Sequence, residues 1–166
     1  PLRTLGDVYE ANISVATGGD AASLIDVDRL VYTKPNFLPP NTFYGSSSTE
    51  RSIISDGCVI RDACKIVDSI VGPCTVIDEN VHLEGVVIVG RDEILKRSGG
   101  DKIADIGANT IMRKCIVDSD AVIGANVHVL NEAGIEELDR TEDGYIITEG
   151  IVTILGGAMI PDGFII

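Results

Sequence analysis

Residues 54–66 read Ile-Ser-Asp-Gly-Cys-Val-Ile-Arg-Asp-Ala-Cys-Lys-Ile, so that an aliphatic residue returns at every sixth position. A spacing of six fits neither the 3.6-residue period of a helix nor the two-residue period of an ordinary strand. It is typical of a hexapeptide β-helix, in which each unit supplies one short strand and one tight corner. This stretch therefore predicts a column of stacked parallel coils.

The same spacing recurs along the chain in four groups of three aliphatic residues. They are Ile54, Ile60 and Ile66; Val71, Ile77 and Leu83; Val117, Ile123 and Val129; and Ile154, Ile160 and Ile166. Three six-residue units would close a triangular coil of roughly 18 residues. Coils stack at about 4.8 Å, and the matching segments provide roughly four to five of them.

Composition agrees with a narrow column. The chain is 45% hydrophobic but only 4% aromatic and has no Trp, which suits an interior filled by aliphatic side chains. The net charge of −13 makes nucleic acid and anionic membranes poor partners. No run of 18 or more apolar residues and no secretory signal is present, so we expect a cytoplasmic protein or one inside an organelle.

The periodicity is interrupted twice and is preceded by a different region. Residues 90–105 and 131–149 are charged and contain glycine, so they are predicted to be loop insertions between coils. Near the start, Thr4 is expected to cap a short helix with Leu5, Val8 and Tyr9 on its buried side. Residues 30–40 contain three prolines and predict an extended connector.

The four cysteines lack the paired CxxC spacing of a metal site. Cys58 and Cys64 fall at the small inward position of their repeats. We therefore interpret the cysteines as small buried hydrophobic residues rather than as metal ligands or disulfide partners.

Several segments resemble, in the same order, the C-terminal part of glucose-1-phosphate adenylyltransferase, also called ADP-glucose pyrophosphorylase. They are Thr4 to Asn12, Tyr32 to Pro40, Ser52 to Gly57, Ile66 to Gly72, Ile106 to Thr110 and Asp143 to Ile154. Together they cover nearly the whole chain. Single six-residue units are shared by many acyltransferases, but the ordered set with both insertions is more specific.

The resemblance implies a two-part enzyme. An N-terminal nucleotidyltransferase domain would use Mg²⁺ to transfer AMP from ATP to glucose 1-phosphate for glycogen or starch synthesis. A left-handed β-helix would assemble a homo- or hetero-tetramer and help to bind a small anionic effector. On this basis residues 1–16 are the last helix of the catalytic domain, 17–50 the connector and 51–166 the β-helix. A plant or algal relative would work in the plastid.

No residue of this chain is assigned to catalysis. Transfer of a nucleotidyl group needs a phosphate-binding glycine loop, cationic side chains and carboxylates that hold the metal. The glycine pairs at 18–19, 99–100 and 156–157 are not followed by Lys and Ser or Thr. We therefore expect the catalytic domain to lie outside these residues, and we expect this part to bind no cofactor.

The resemblance also suggests where an anionic effector would bind. Family members that respond to sugar phosphates carry cations at positions that here hold Asn36, Glu132 and Thr148, with Glu149 directly after Thr148. The remaining cationic candidates are Lys34, Arg113, Lys114 and Arg140. Because carboxylates repel anions at short range, we expect a weak or unusual effector response.

Two other functions fit the repeat. A hexapeptide acyltransferase would need a histidine base, and His82 and His128 both fall at the last position of their repeats, where a solvated histidine is the simpler interpretation. A stand-alone structural or regulatory subunit is the second alternative. A β-helical carbonic anhydrase is excluded because its metal takes three histidines and this chain has two.

Overall fold

The protein is a three-sided column of parallel strands with one helix on its surface. The computed structural model describes residues 2–19, 37–91 and 104–166, and all structural statements refer to these ranges. They contain helix α1 (Leu5–Thr17) and fifteen strands. The strands are β1 Thr42–Phe43, β2 Ser48–Glu50, β3 Ile53–Ile54, β4 Val59–Ile60, β5 Lys65–Val67, β6 Ile70–Val71, β7 Val76–Ile77, β8 His82–Ile88, β9 Ile111–Val117, β10 Val122–Ile123, β11 His128–Val129, β12 Glu137–Arg140, β13 Tyr145–Thr148, β14 Ile151–Ile154 and β15 Met159–Ile160. The predicted parallel β class is confirmed.

Each coil is 17 residues long, one fewer than predicted. Val59 pairs with Val76, and Lys65 pairs with His82, in parallel register. The inward aliphatic residues explain the difference, because Ile66 follows Ile60 by six positions whereas Val71 follows Ile66 by only five. Each coil therefore has two six-residue sides and one five-residue side.

The two insertions leave this register intact. Ile77 pairs with Ile106, which is one coil plus 12 residues further on. Val122 pairs with Met159, which is one coil plus 20 residues further on. The inserted residues therefore leave and re-enter the column at the same corner. The coils before and after each insertion stack directly on each other.

The column has three faces. Face 1 contains β1, β4, β7, Ile106, β10 and β15. Face 2 contains β2, β5, the first half of β8, the first half of β9, β11 and Ile165. Face 3 contains β3, β6, the second half of β8, the second half of β9 and β14. Faces 1 and 2 thus have six rungs, slightly more than the predicted four to five coils. Pairing already begins at Thr42, before the predicted domain boundary at residue 51.

A ladder of isoleucines fills the interior of face 1. Ile60, Ile77, Ile106, Ile123 and Ile160 occupy successive rungs, and each is at most 3% exposed. Full burial of such a side chain contributes about 1.5–3 kcal/mol relative to exposure. The six-residue sequence pattern therefore corresponds directly to the main stabilising contacts.

Asparagines stack at one corner of the column. Asn80, Asn109 and Asn126 adopt positive φ angles of 56°, 58° and 57°, a region that Asn tolerates better than most residues. The Asn80 amide donates to Asn109 Oδ1 at 2.8 Å, and the Asn109 amide donates to Asn126 Oδ1 at 3.3 Å. This ladder links three successive coils by their side chains.

Helix α1 is capped at both ends and packs on face 3. As predicted, Thr4 is the N-cap, in a reciprocal capping box with Asp7, and Gly18 ends the helix at φ 78°. Tyr9 is buried against Val87, Ile116 and Ile151, with Leu5 and Ile13 beside it. The prediction for Val8 was wrong: its side chain is 39% exposed, because face 3 receives the side of the helix that carries Leu5, Tyr9 and Ile13.

The second insertion, predicted as a loop over residues 131–149, contains a β-hairpin. Strands β12 and β13 pair in antiparallel fashion, and β13 also pairs antiparallel with β14 at the edge of face 3. Tyr145 and Ile147 join the main core, where the Tyr145 ring meets Phe164 edge-on at 6.1 Å. The hairpin therefore covers part of the C-terminal end of the core.

The first insertion, predicted at 90–105, lies mostly outside the described residues. Its two flanks are tied together by an ion pair between Arg91 and Asp105, whose side chains are 20% and 7% exposed. The other Asp105 carboxylate oxygen accepts from the Val76 backbone N–H at 2.7 Å. The pair therefore closes the corner from which the insertion departs.

Cys58, Cys64 and Cys115 are buried and Cys74 is partly buried, and none forms a disulfide within the described residues. The Cys58 thiol donates to the Gly72 carbonyl at 3.2 Å. Burial raises the pKa of Cys58 from 9.0 to about 11, and burial also raises the pKa of Cys64 and Cys115. The folded state therefore holds these thiol protons more tightly than the unfolded chain does.

Because these folded-state pKa values are raised, the thiols add stability that is complete below pH 9.0 and is lost as pH rises towards about 11. We expect the free energy of unfolding, measured by urea denaturation in a reducing buffer, to fall between pH 8.5 and 10.5. Cys58→Ala should show a shallower fall. Parallel pH profiles for the two proteins would contradict this expectation.

Candidate effector surface

Five of the seven positions predicted to concern effector binding lie within the described residues. Lys34 and Asn36 lie outside them. The five others are Arg113, Lys114, Glu132, Arg140 and Thr148. The structure distributes these five over one corner of the column, the adjoining face 2 and the tip of the hairpin.

Lys114 and Glu132 belong to the same corner. Lys114 and Asn131 both have a φ of 45°, and the pairing of His128 with Ile111 places them on neighbouring rungs. The Asn131 side-chain amide donates to the carbonyl of Ile135 at 2.9 Å and to that of Gly150 at 3.3 Å. Asn131 thereby joins the start of the second insertion to its end, beside Lys114.

Thr148 lies at the base of the hairpin, where it pairs with Glu137 on one side and Ile151 on the other. The next residue, Glu149, forms the turn into β14 with a φ of 54°. Its Oε2 atom accepts from the Gly6 backbone N–H at 2.9 Å and from the Thr4 hydroxyl at 3.1 Å. This corner therefore also contains the N-terminus of α1.

The electrostatics of this corner are mainly acidic. Glu132 is exposed, and Glu149 occupies the N-terminal end of α1, the end that carries partial positive charge. Asp7 lies in the same first turn, where the backbone N–H groups of Arg3 and Thr4 hold its pKa below the usual 3.8. Lys114 shares this corner with Glu132 and with the turn that contains Glu149, and acidic side chains near a cation lower its attraction for a phosphate-bearing anion.

Arg113 faces away from this corner, on face 2. Its guanidinium pairs with Glu84 at 2.9 Å, and both side chains are more than 60% exposed. The pair borders an open depression of about 240 Å³ that Lys65 and His82 also line. Because its charge is balanced by an exposed carboxylate, Arg113 contributes little net attraction for an anion.

Arg140 lies away from both Lys114 and Arg113, at the tip of the hairpin. It ends β12 opposite Tyr145, with its guanidinium 3.8 Å from the Asp143 carboxylate. Glu137, at the base of the hairpin, is three residues away, which is about 10 Å along a strand. The predicted cationic candidates therefore do not form a single cluster within the described residues.

The two histidines also lie on face 2, at the start of a strand in each case rather than at a corner. Ile111 pairs with His82 on one side and with His128 on the other, so the histidines are two rungs apart. Two rungs correspond to about 10 Å. No group of three His, Cys, Asp or Glu side chains in the part of the chain that the structure describes is arranged to hold a metal ion.

The GLGC left-handed parallel β-helix domain family matches residues 36–165. The chain belongs to this family. The match also gives the handedness of the coils, which is the exception to the strong right-handed preference of parallel crossovers. The left-handed fold and the resemblance to glucose-1-phosphate adenylyltransferase are both confirmed.

A curated relative matches this chain over nearly its whole length. Glucose-1-phosphate adenylyltransferase large subunit 1, chloroplastic/amyloplastic, from Zea mays is 34% identical to this chain over 172 aligned residues. The alignment covers 99% of this chain and 33% of the relative, so the chain spans about a third of the length of that protein. Among the described residues no helix is long and apolar enough to cross a membrane.

Sequence reasoning missed the role of Glu149. It identified the residue only as the neighbour of Thr148 in a segment where relatives carry a cation. The bond between Glu149 and Gly6 joins residues 143 positions apart, and no local pattern encodes it. The positive φ of Glu149, followed by Gly150 at φ 69°, is a feature of the folded chain alone.

Proposed function

We propose that this chain is the β-helix part of a glucose-1-phosphate adenylyltransferase that forms ADP-glucose and pyrophosphate from ATP and glucose 1-phosphate. The observation that carries the proposal is the family match over residues 36–165, together with the identity to the maize large subunit. The β-helix serves assembly and regulation, and the chemistry belongs to a nucleotidyltransferase domain outside these residues. The enzyme acts in the cytoplasm or in a plastid.

The partners in this proposal are that catalytic domain and neighbouring subunits of a homo- or hetero-tetramer. Exposed apolar side chains at both ends of the column support such contacts. Phe43 and Tyr44 are 49% and 54% exposed at the first coil, and Met159 and Ile165 are 79% and 73% exposed at the last. Uncovered end coils of a solenoid normally need a covering partner.

Mg²⁺ would act in the catalytic domain, where it would neutralise charge on the reacting phosphates. The described residues of this chain do not fit a magnesium site, since no three carboxylates or other ligand side chains converge. Regulation in this proposal is weak, because the acidic residues Glu132 and Glu149 at the same corner as Lys114 reduce the positive potential available to a phosphate-bearing effector.

The test is an assay of ADP-glucose formation with ATP, glucose 1-phosphate and Mg²⁺. We expect activity from the full-length enzyme that contains this segment and none from the 166-residue chain alone. The full-length enzyme should respond little to 3-phosphoglycerate, fructose 1,6-bisphosphate or inorganic phosphate.

An inactive full-length enzyme, or ADP-glucose formed by the 166-residue chain itself, would contradict the assignment. Strong activation that disappears when Lys114 is replaced by Ala would contradict weak regulation while leaving the enzyme assignment intact. Sedimentation of the full-length enzyme reports assembly independently, and a monomer would overturn the proposed scaffold role.

A further inference from the structure

Glu149 connects the β13–β14 turn to β12 of the same hairpin and to α1, which is distant in sequence. Its carboxylate accepts from the Gly6 N–H and the Thr4 hydroxyl at the start of α1. Its own backbone N–H donates to Glu137 Oε1 on β12 at 3.2 Å. One residue in the β13–β14 turn thus bonds to both the hairpin and the helix.

Glu149 and Gly150 form the two-residue connection between β13 and β14. The φ of 54° at Glu149 lies in the left-handed region, where a side chain costs conformational energy that glycine avoids, as at ten other non-glycine residues of the described ranges. Gly150 follows in the same region at φ 69°. Positive φ at both central residues is typical of a two-residue hairpin turn, so the hydrogen bonds of Glu149 and not its backbone distinguish it.

An apolar contact lies directly beside this charged one. Ile151, two residues after Glu149, packs with Tyr9 of α1. Tyr9 in turn donates its hydroxyl to the Gly85 carbonyl at 2.7 Å, at the same corner of the column and one rung before Lys114. The same turn therefore contacts the first turn of α1 through Glu149 and the middle of α1 through Ile151.

We propose that Glu149 is a positioning residue that couples the β12–β13 hairpin to α1. A displacement of the hairpin moves the Glu149 carboxylate and frees the first turn of α1, so that the segment entering α1 changes position with the hairpin. This coupling is a property of the chain itself and goes beyond its proposed role in an adenylyltransferase. It holds whichever activity the full-length protein has.

The acids near Glu149 are Asp7 in the first turn of α1, Glu137 on β12 and Glu136 beside Gly150, and Lys114 lies at the same corner of the column. The three acids do not attract the Glu149 carboxylate. The Asp7 carboxylate already accepts hydrogen bonds from the backbone N–H groups of Arg3 and Thr4. The Gly6 N–H, the Thr4 hydroxyl and the positive end of α1 therefore hold the Glu149 carboxylate in place.

Hydrogen exchange of the backbone amides, measured by mass spectrometry on the full-length protein that contains these residues, tests the proposal. Glu149→Gln removes the charge at nearly constant shape, and Glu149→Gly also relieves the positive-φ strain. Both should speed exchange in the first turn of α1 by about tenfold, the effect of losing one charge-assisted hydrogen bond. Glu132→Gln, an exposed acid of the same insertion, is the matched control and should change nothing in α1.

Because coupling is reciprocal, a change at the helix must also reach the hairpin. Thr4→Ala removes one donor to Glu149 and should speed exchange of the amides in the β13–β14 turn. The proposal is overturned if Glu149→Gly leaves α1 as protected as before, or if Thr4→Ala changes α1 alone. Urea denaturation of each variant establishes that the column remains folded during the measurement.

Discussion

Replacing Arg91 by leucine is expected to lower the free energy of unfolding by about 3–5 kcal/mol. Arg91 pairs with Asp105, whose side chain is 7% exposed, at the corner where the first insertion departs. Without the guanidinium, a carboxylate would remain buried and uncompensated. Urea denaturation at pH 7 measures the loss.

Two further variants show whether burial of the charge is the cause. Arg91→Leu combined with Asp105→Asn removes both charges and should recover most of the lost stability, because the Val76 N–H keeps an acceptor in the Asn side chain. Arg113→Leu breaks the exposed pair with Glu84 and should cost less than about 1 kcal/mol. Equal losses for Arg91→Leu and Arg113→Leu would refute the explanation.

Gly107→Ala is expected to destabilise the column by about 3 kcal/mol or more, the upper range for overpacking a core. An added Cβ at Gly107 would lie 2.5 Å from the carbonyl carbon of Gly124 and 2.6 Å from the backbone nitrogen of Ala125. Both atoms belong to the backbone of the next coil, so no side-chain rotation can relieve the contact. Thermal and urea denaturation of the variant measure the effect.

Gly156→Ala is the matched control, since neither glycine has a positive φ. There the nearest atom to an added Cβ is Asp118 Oδ2 at 3.2 Å, the end of a side chain that can move. We expect a change within about 0.5–1 kcal/mol. If Gly107→Ala is insoluble while Gly156→Ala folds normally, the close approach of the two coils is supported; if both variants are mild, it is refuted.

The interior of the column could be predicted from sequence because each inward position repeats locally. The five-residue side was also visible, in the spacing from Ile66 to Val71, but it is less conspicuous than the six-residue spacings around it. The hairpin was missed for a different reason. Its pairings are local, with connections of four residues between β12 and β13 and of two residues between β13 and β14, but the two-residue connection is Glu149-Gly150 and lacks the Asn-Gly or Asp-Gly pair that typically signals such a turn.

The candidate site was less predictable than the fold. The N-cap Thr4 has a local signature and was identified, whereas the exposure of Val8 depends on which side of α1 face 3 receives. No sequence pattern separates Arg140 from Lys114, because the length and direction of the folded hairpin decide the distance between them. The predicted relation of Lys34 and Asn36 to effector binding stays a prediction, because both lie outside the described residues.

The hairpin also sets a limit on how the repeat can grow. On face 3, β13 runs antiparallel beside β14 and occupies the place that a further parallel strand would take. An additional coil on that side would find no free ladder of backbone groups, although faces 1 and 2 could accept one. The hairpin thus limits the length of the column on this face. Duplication of a 17-residue unit can lengthen the column before β14 but cannot add a strand next to β14.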